Sequence, residues 1–353
     1  MQLRKFNLLE EYNKIITSNN IINLMNKIHE YKGKQVLLSG IKKDTLNTLL
    51  NIAKIESTVS SNSLEGICTT KKRINELIIK NLDPKTRNEE EIAGYRDVLS
   101  LVHENYNYIN ISSNTILQLH RDLYKYTGYS YGGKYKDSQN YIEETTDSGE
   151  KKIRFTPLSA IETPIAIDEL CKNYNEIAKN ETCDLLVLIP IFVLDFLSIH
   201  PFNDGNGRIS RLLTLLLLYK ANYLVGEYIS TEKIIEDTKD SYYETLQKSS
   251  LNWHNNKNDY SYFVEYYLGI ILNAYKEFDS RLSFLENDKI FAYDRIIEVF
   301  RNSIIPIDKI TIINKCPDIS ETTIERMLKR LLDENKIIKI SGGRYTKYKW
   351  TNK

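Results

Sequence analysis

The sequence predicts a mainly α-helical protein carrying one short β-hairpin and a small C-terminal module. Three observations lead there. Only 14 Gly and 7 Pro punctuate 353 residues, so helix breakers are sparse. Long stretches repeat apolar residues at three and four positions, as at Leu46, Leu49, Leu50 and Ala53, which is one face of a helix. The texture turns to alternation and glycine in two places, between Gly128 and Pro164 and towards the C-terminus.

Taken in order, the helical pattern runs over Leu8–Tyr31, Thr45–Leu64, Lys71–Ile79, Glu89–Tyr106, Ser113–Tyr126, Ile165–Ala178, Asp184–Ile199, Asn206–Ala221, Tyr242–Ser249 and Tyr260–Leu285. Lys152-Ile153-Arg154-Phe155-Thr156 alternates, and Asp147-Ser148-Gly149 is turn chemistry, so this region reads as a hairpin flap. Further on, Asp294–Arg301, Ile307–Ile313 and Glu321–Asp333 read as three short helices. Two alternating strands, Lys336–Ile340 and Arg344–Trp350, follow around Ser341-Gly342-Gly343. Three helices and a hairpin make a winged-helix pattern with Glu321–Asp333 in the recognition position. The domain division expected is 1–110, a helical region; 111–265, the core; 266–288, a linking helix; and 289–353, the winged-helix-like module.

Composition excludes several classes. With 48 basic and 47 acidic side chains the net charge is +1, which argues against a chain that coats nucleic acid along its length. At 41% hydrophobic and 27% charged it is not a disordered protein. Cys68, Cys171, Cys183 and Cys316 are scattered without a pair or histidines at zinc spacing, so neither a disulfide framework nor a zinc site is expected. The N-terminus lacks a signal-peptide apolar run, which points to the cytoplasm. Leu185–Ile199 is apolar throughout but short, and it carries Asp195 and Pro190. A buried core helix fits it better than a membrane span.

The stretch that carries chemistry is His200-Pro201-Phe202-Asn203-Asp204-Gly205-Asn206-Gly207-Arg208-Ile209-Ser210-Arg211, set between two apolar helices. Gly205, Asn206 and Gly207 allow backbone that turns successive N–H groups inward at a helix N-terminus, a nest for phosphate. Asp204 is a hard oxygen ligand suited to Mg²⁺ shared with phosphate oxygens. Arg208 and Arg211 lie three apart and offer forked donors to phosphates. His200 is the nearby side chain whose ordinary pKa suits proton abstraction. Phe202 is expected to anchor the loop in the core. The segment is neither a Walker loop, since no Gly-Lys-Ser/Thr follows, nor a dinucleotide fingerprint, since a helix precedes it.

This stretch resembles the signature of the Fic (Fido) family, H-P-F-x-[D/E]-G-N-G-R-x-x-R, at every specified position. The resemblance extends to Gly132-Gly133-Lys134-Tyr135-Lys136, to the flap near Lys151–Pro157 and to Tyr242-Tyr243; Lys136 stands where many relatives carry arginine. What the resemblance implies is a Fic-type helical core that transfers AMP from ATP, with Mg²⁺, to hydroxyl side chains of a target protein. In that implication His200 is the base, Asp204 holds the metal, and Gly205, Asn206, Gly207, Arg208, Ile209, Ser210 and Arg211 bind ATP with Tyr243 beside the nucleoside. Lys152, Ile153, Arg154 and Phe155 would dock the target as an added strand.

Ser61-Asn62-Ser63-Leu64-Glu65-Gly66 sets a hydroxyl and a carboxylate four apart, with Gly66 as a C-cap. Alone, that spacing describes any solvated helix face. Beside the signature it is similar to the family's inhibitory motif [S/T]-x-x-x-E-[G/N] in its N-terminal placement, which implies that Glu65 pairs with Arg211 where the γ-phosphate belongs. Self-modification and a homodimer also come with the resemblance. His29, His103, His120 and His254 show no ligand spacing and read as structural or surface residues. From Arg301 onward Lys and Arg outnumber Asp and Glu about twofold, with Arg326, Lys329, Arg330, Lys347 and Lys349 on the expected recognition helix and wing. Glu321, Glu325, Asp333 and Glu334 dilute that face, so protein docking is favoured over DNA. The rival readings are a DNA-binding regulator with a nucleotide-sensing core, or a Fic enzyme that removes AMP or transfers another phosphate-linked group.

Overall fold

The structure, a computed structural model, describes residues 4–35, 43–145, 151–180, 183–286, 292–303, 305–317, 319–340 and 346–351. Helix α1 (Leu8–Ile15) starts where the Asn7 side chain accepts from the Glu10 N–H. It is followed by α2 (Asn19–Gln35). The single helix expected over Leu8–Tyr31 is therefore two. Thr17 Oγ1 donates to the Lys14 carbonyl and the Ser18 N–H to that of Ile15, so side chain and turn close the first helix early.

Helix α3 (Lys43–Ser63) ends as a Schellman motif. The Ile67 N–H reaches the Asn62 carbonyl, the Gly66 N–H reaches that of Ser63, and Gly66 has φ +75°. The short α4 (Lys71–Ile78), α5 (Arg87–Asn105) and α6 (Ser113–Leu123) follow, capped by Thr70, Thr86 and Ser112 respectively. Where α5 meets α6 the backbones nearly touch. A Cβ on Gly94 would sit 1.9 Å from the Leu123 carbonyl oxygen, so only glycine fits there. Strands β1 (Ile142–Thr145) and β2 (Lys151–Phe155) pair antiparallel; the turn expected at Asp147-Ser148-Gly149 lies outside the described residues.

Next come α7 (Thr163–Lys179), α8 (Leu185–Ile199), α9 (Asn206–Lys220), α10 (Thr231–Asp237), α11 (Lys239–Ser250) and α12 (Ser261–Glu286). Helix α8 is the centre. Every side chain from Leu186 to Ile199 is buried, and α1, α7, α9 and α11 pack around it. A helix apolar on all sides must be buried on all sides. Its one charge, Asp195, is held by the Trp253 and Tyr260 donors at 2.7 Å each and by Arg4 at 3.4 Å. Helix α9 is covered in turn by α5 and α6. Among the described residues no helix is long and apolar enough to cross a membrane.

The chain divides into two compact units, 1–38 with 53–276, and 39–52 with 277–353. The expected boundaries kept 1–110 whole and placed the last break after 288. Instead α3 and α12 each contribute to both units, which helical periodicity, blind to tertiary partners, does not reveal. In the second unit α13 (Ala292–Arg301), β3 (Ile307–Asp308), α14 (Lys309–Lys315), α15 (Glu321–Asp333), β4 (Ile337–Lys339) and β5 (Lys347–Trp350) form a three-stranded antiparallel sheet ordered β3-β5-β4 with three helices. Their shared core includes Val299, Phe300, Ile312, Ile324, Leu331 and Ile337. The helix expected over Ile307–Ile313 thus starts two residues later, after a strand, because Asp308 caps it. The expected turn at Ser341-Gly342-Gly343 lies outside the described residues. Some of the basic charge counted in the sequence is spent inside the unit: Lys309 pairs with Glu321 and Glu325, and Arg330 with Glu334.

Candidate active site

Helix α8 stops at His200, whose φ of +52° is left-handed, and the chain turns through Pro201–Gly205 into α9. Asn206 ties this loop: its Oδ1 accepts from the Phe202 N–H at 2.9 Å and its Nδ2 donates to the Phe202 carbonyl at 2.8 Å. Phe202 is fully buried, the anchor the sequence suggested. Of the three residues expected to line a nest with unusual backbone, only Gly205 is left-handed, at φ +82°. Asn206 and Gly207 are already the first turn of α9. Gly207 has a different reason to lack a side chain, since a Cβ there would stand 2.2 Å from Glu65 Oε1.

His200 Nδ1 lies 3.2 Å from the Leu197 carbonyl. A carbonyl only accepts, so Nδ1 carries the proton and Nε2 is left as the basic lone pair. Loss of hydration lowers the imidazole to about 4 against the opposing effect of the Leu197 carbonyl, so it is neutral near pH 7. His200 faces a cavity of about 190 Å³ lined also by Glu65, Arg154, Gly207, Arg211 and Tyr243.

Arg211 is held from α3. Its Nε donates to Ser61 Oγ at 2.7 Å, and Nη2 donates to the Ser61 carbonyl and to Glu65 Oε1, both at 2.8 Å. The structure therefore brings Ser61, Glu65, Gly207, Arg211 and His200 together. Helix α3 is itself fastened by hydroxyls to carboxylates of α10, Ser57 to Glu232 at 2.8 Å and Ser60 to Glu236 at 2.7 Å.

Arg208 corrects the sequence reading. Three residues from Arg211 still leaves about 60° around the helix axis, and that is enough to turn Arg208 into the core. It is 0% exposed, pairs with Glu91 at 2.8 Å and donates to Tyr124 Oη at 2.7 Å. Ile209 and Ser210 do not reach the cavity either: Ile209 packs in the core, and Ser210 Oγ returns to the Gly207 carbonyl at 2.7 Å. Asp204 stands at the mouth of the loop, half exposed, its Oδ1 accepting from the Gly205 N–H at 2.7 Å. Among the described residues no cluster of three or more metal-binding side chains occurs; Asp204 is the carboxylate of this loop that could hold a divalent ion. A single half-exposed carboxylate suits an ion that keeps most of its ligands from water and phosphate.

On the flap, Phe155 stacks on His254 at 5.4 Å and Ile153 is 51% exposed. Strict alternation would set Arg154 opposite Phe155. Ile142 pairs with Phe155 but Glu143 with Ile153, so Arg154 is a bulge residue, and both Arg154 and Phe155 line the cavity. The sequence reading missed the part played by His120. Its ring lies flat on Phe202 at 3.7 Å, its Nδ1 accepts from the Gly133 N–H, and its Nε2 meets the Asp204 carbonyl, each at 3.0 Å. No spacing in the sequence announces this, because the partners come from two other segments, Gly133 from one and the Phe202–Asp204 loop from the other.

The sequence profile of the Fic/DOC family matches residues 110–218, the span from α6 to α9. Solved structures share the fold. A Fic family protein from Desulfovibrio desulfuricans G20 superposes with a TM-score of 0.60 at 19% identity, covering 95% of this chain and 97% of that one. A Fic domain containing signaling protein from Bacteroides thetaiotaomicron VPI-5482 gives 0.59 at 22%, covering 75% and 97%. Fic-1 (aa134–508) from C. elegans gives 0.59 at 16%, covering 76% and 74%. No curated protein sequence matches the chain. By profile, then, residues 110–218 match the Fic/DOC family, and the fold is the one these Fic structures share.

Proposed function

We propose that the protein transfers AMP from ATP to hydroxyl side chains of target proteins and that Glu65 restrains this activity. The observation that carries the reading is the pairing within one cavity of a neutral imidazole, bare at Nε2, with an arginine that a carboxylate already holds. In the transfer, His200 Nε2 takes the proton of the target hydroxyl while its oxygen bonds the α-phosphorus. The bond from that phosphorus to the bridging oxygen breaks, and pyrophosphate leaves. Such displacement needs placement and charge neutralisation more than covalent help. Arg211 and the α9 N-terminus supply positive charge for the phosphates. When bound at Asp204, Mg²⁺ supplies further charge neutralisation there.

Glu65 opposes this geometrically. Its carboxylate occupies the Arg211 guanidinium and crowds Gly207, so a third phosphate finds both its partner and its space taken. The cavity, at about 190 Å³, is below the ~300–1,000 Å³ usual for ligand sites, as a site part-filled by its own side chain should be. The test incubates wild type, Glu65→Gly and His200→Ala with Mg²⁺ and α- or γ-labelled ATP. Glu65→Gly is expected to raise protein-bound α-label about 5- to 150-fold, the range of a typical coupling between sites. His200→Ala, in the Glu65→Gly background, is expected to bind ATP and transfer nothing. Label from γ-ATP, or transfer that survives without His200, would overturn the reading.

A further inference from the structure

Between the Gly132–Lys136 stretch and the flap, two residues hold four consecutive carbonyls of the His200 loop, three through their side chains and one through the Lys136 backbone. The Lys136 N–H donates to the Pro201 carbonyl at 2.9 Å, and Lys136 Nζ donates to the Ile199 carbonyl at 3.1 Å. Asn140 Nδ2 donates to the His200 carbonyl at 3.2 Å and to the Phe202 carbonyl at 3.0 Å. The two residues are joined, Lys136 Nζ donating to Asn140 Oδ1 at 2.9 Å. This set admits one orientation of the amide. Flipped, its oxygen would face two carbonyl oxygens and its NH₂ an ammonium.

Carbonyls at a helix C-terminus lack partners within the helix, and here the clamp supplies them. It does so around a residue in an unfavourable state. His200 is a non-glycine residue at φ +52°, a conformation that persists only where the surroundings fix it. That backbone state sets the direction in which the imidazole leaves the chain. Lys136 is 3% exposed, and neither it nor Asn140 lines the cavity. Asn140 also stands two residues before β1, so the clamp is continuous with the flap.

The geometry points to Lys136 and Asn140 as positioning residues of the transfer reaction, a clamp that keeps His200 turned so that Nδ1 stays on the Leu197 carbonyl and Nε2 serves the cavity. The inference rests on His200 being the base. Asn140→Asp is the sharp probe, because it keeps size and the acceptor for Lys136 but removes both amide donations. In the Glu65→Gly background the expected result is a fall in the rate of α-label transfer on the order of 10²-fold at saturating ATP, the usual cost of a misplaced catalytic group, with ATP affinity unchanged within about twofold. Lys136→Met should behave alike, and Lys136→Arg, which keeps a cationic donor, should recover most of the rate.

A retained rate in Asn140→Asp, or ATP affinity that falls in step with the rate, overturns the clamp. Failure of the base assignment is told apart by nitrogen NMR of the histidine rings, with the His200 signals identified by their loss in His200→Ala. The parent should show the Nδ1–H tautomer, and Asn140→Asp a mixture of tautomers. That outcome supports the clamp even if no label is transferred, whereas an unchanged tautomer sinks it.

Discussion

At the scale of single residues, the two arginines of the motif divide between one that faces the cavity and one that is buried in the core. Arg211 reaches the cavity and is bound by Ser61 and Glu65, whereas Arg208 neutralises Glu91 inside the core with 0% exposure of its own side chain. Removing one partner of a buried pair leaves the other charge unsolvated, at a cost of about 3–5 kcal/mol. Arg208→Ala is therefore expected to lower Tm by roughly 6–20 °C for a unit of this size. Arg211→Ala should lose less stability, since Glu65 is 33% exposed and takes water in its place, but it should lose nucleotide affinity. Thermal unfolding beside ATP titration of both variants decides this, and an Arg208→Ala protein that keeps its Tm while losing ATP refutes the division. The twelve-residue stretch made the loop, the place of His200 at the cavity and the anchoring Phe202 legible. It could not say which arginine turns inward, because Glu91 and Tyr124 lie far away in the chain.

At the scale of elements, α3 and the hairpin were readable because their patterns are long or alternate cleanly, and Gly66 was readable as the end of α3. Unread were the break between α1 and α2, the seven-residue α10 and the two-residue β3, all too short for a periodicity to declare itself. The alternation from Lys152 to Thr156 would by itself put Ile153 and Phe155 on one face, and the bulge at Arg154 undoes it. The end of α3 carries a consequence for regulation. Gly66 at φ +75° closes the turn that presents Glu65, and a Cβ there would meet nothing within 4 Å. Gly66→Ala therefore introduces backbone strain without a clash, about 1–2 kcal/mol for a left-handed alanine. If the strain is relieved by opening the turn, Glu65 leaves Arg211 more often. Transfer should then rise up to about 5- to 30-fold, the same energy expressed as a ratio, without exceeding Glu65→Gly. A Gly66→Ala protein that transfers no faster than wild type shows that the turn and the carboxylate are not coupled.

At the scale of the whole molecule, the first unit holds three poorly hydrated histidines, His103 and His120 buried and His200 half-buried at the cavity, and together they make it sensitive to acid. Burial lowers His103 to about 3 and both His120 and His200 to about 4, from an ordinary value of 6.5. Between pH 6.5 and 4 the unfolded chain binds protons that the folded one refuses, so stability falls as pH falls through that window. Each such group contributes up to about 1.4 kcal/mol per pH unit. Carboxylates held low, such as Glu89 at about 2 through its hydrogen bonds with Arg73, add to the loss in the same direction below their ordinary value of 4.5. His103 isolates the histidine part. It is buried, it has no hydrogen-bond partner at Nε2, and it lies away from the cavity against Tyr219 at 5.5 Å between ring centres. His103→Phe keeps a flat ring and removes both the orphan nitrogen and the titration. Its stability relative to wild type should improve on going from pH 6.5 to pH 5, by up to about 2 kcal/mol. The two units hold one tryptophan each, Trp253 and Trp350. Urea unfolding followed by fluorescence in a Trp350→Phe background therefore reports the first unit by itself. A difference between the two proteins that stays constant with pH would mean that the folded unit accepts the proton at His103 after all, and that buried imidazoles do not set its acid limit.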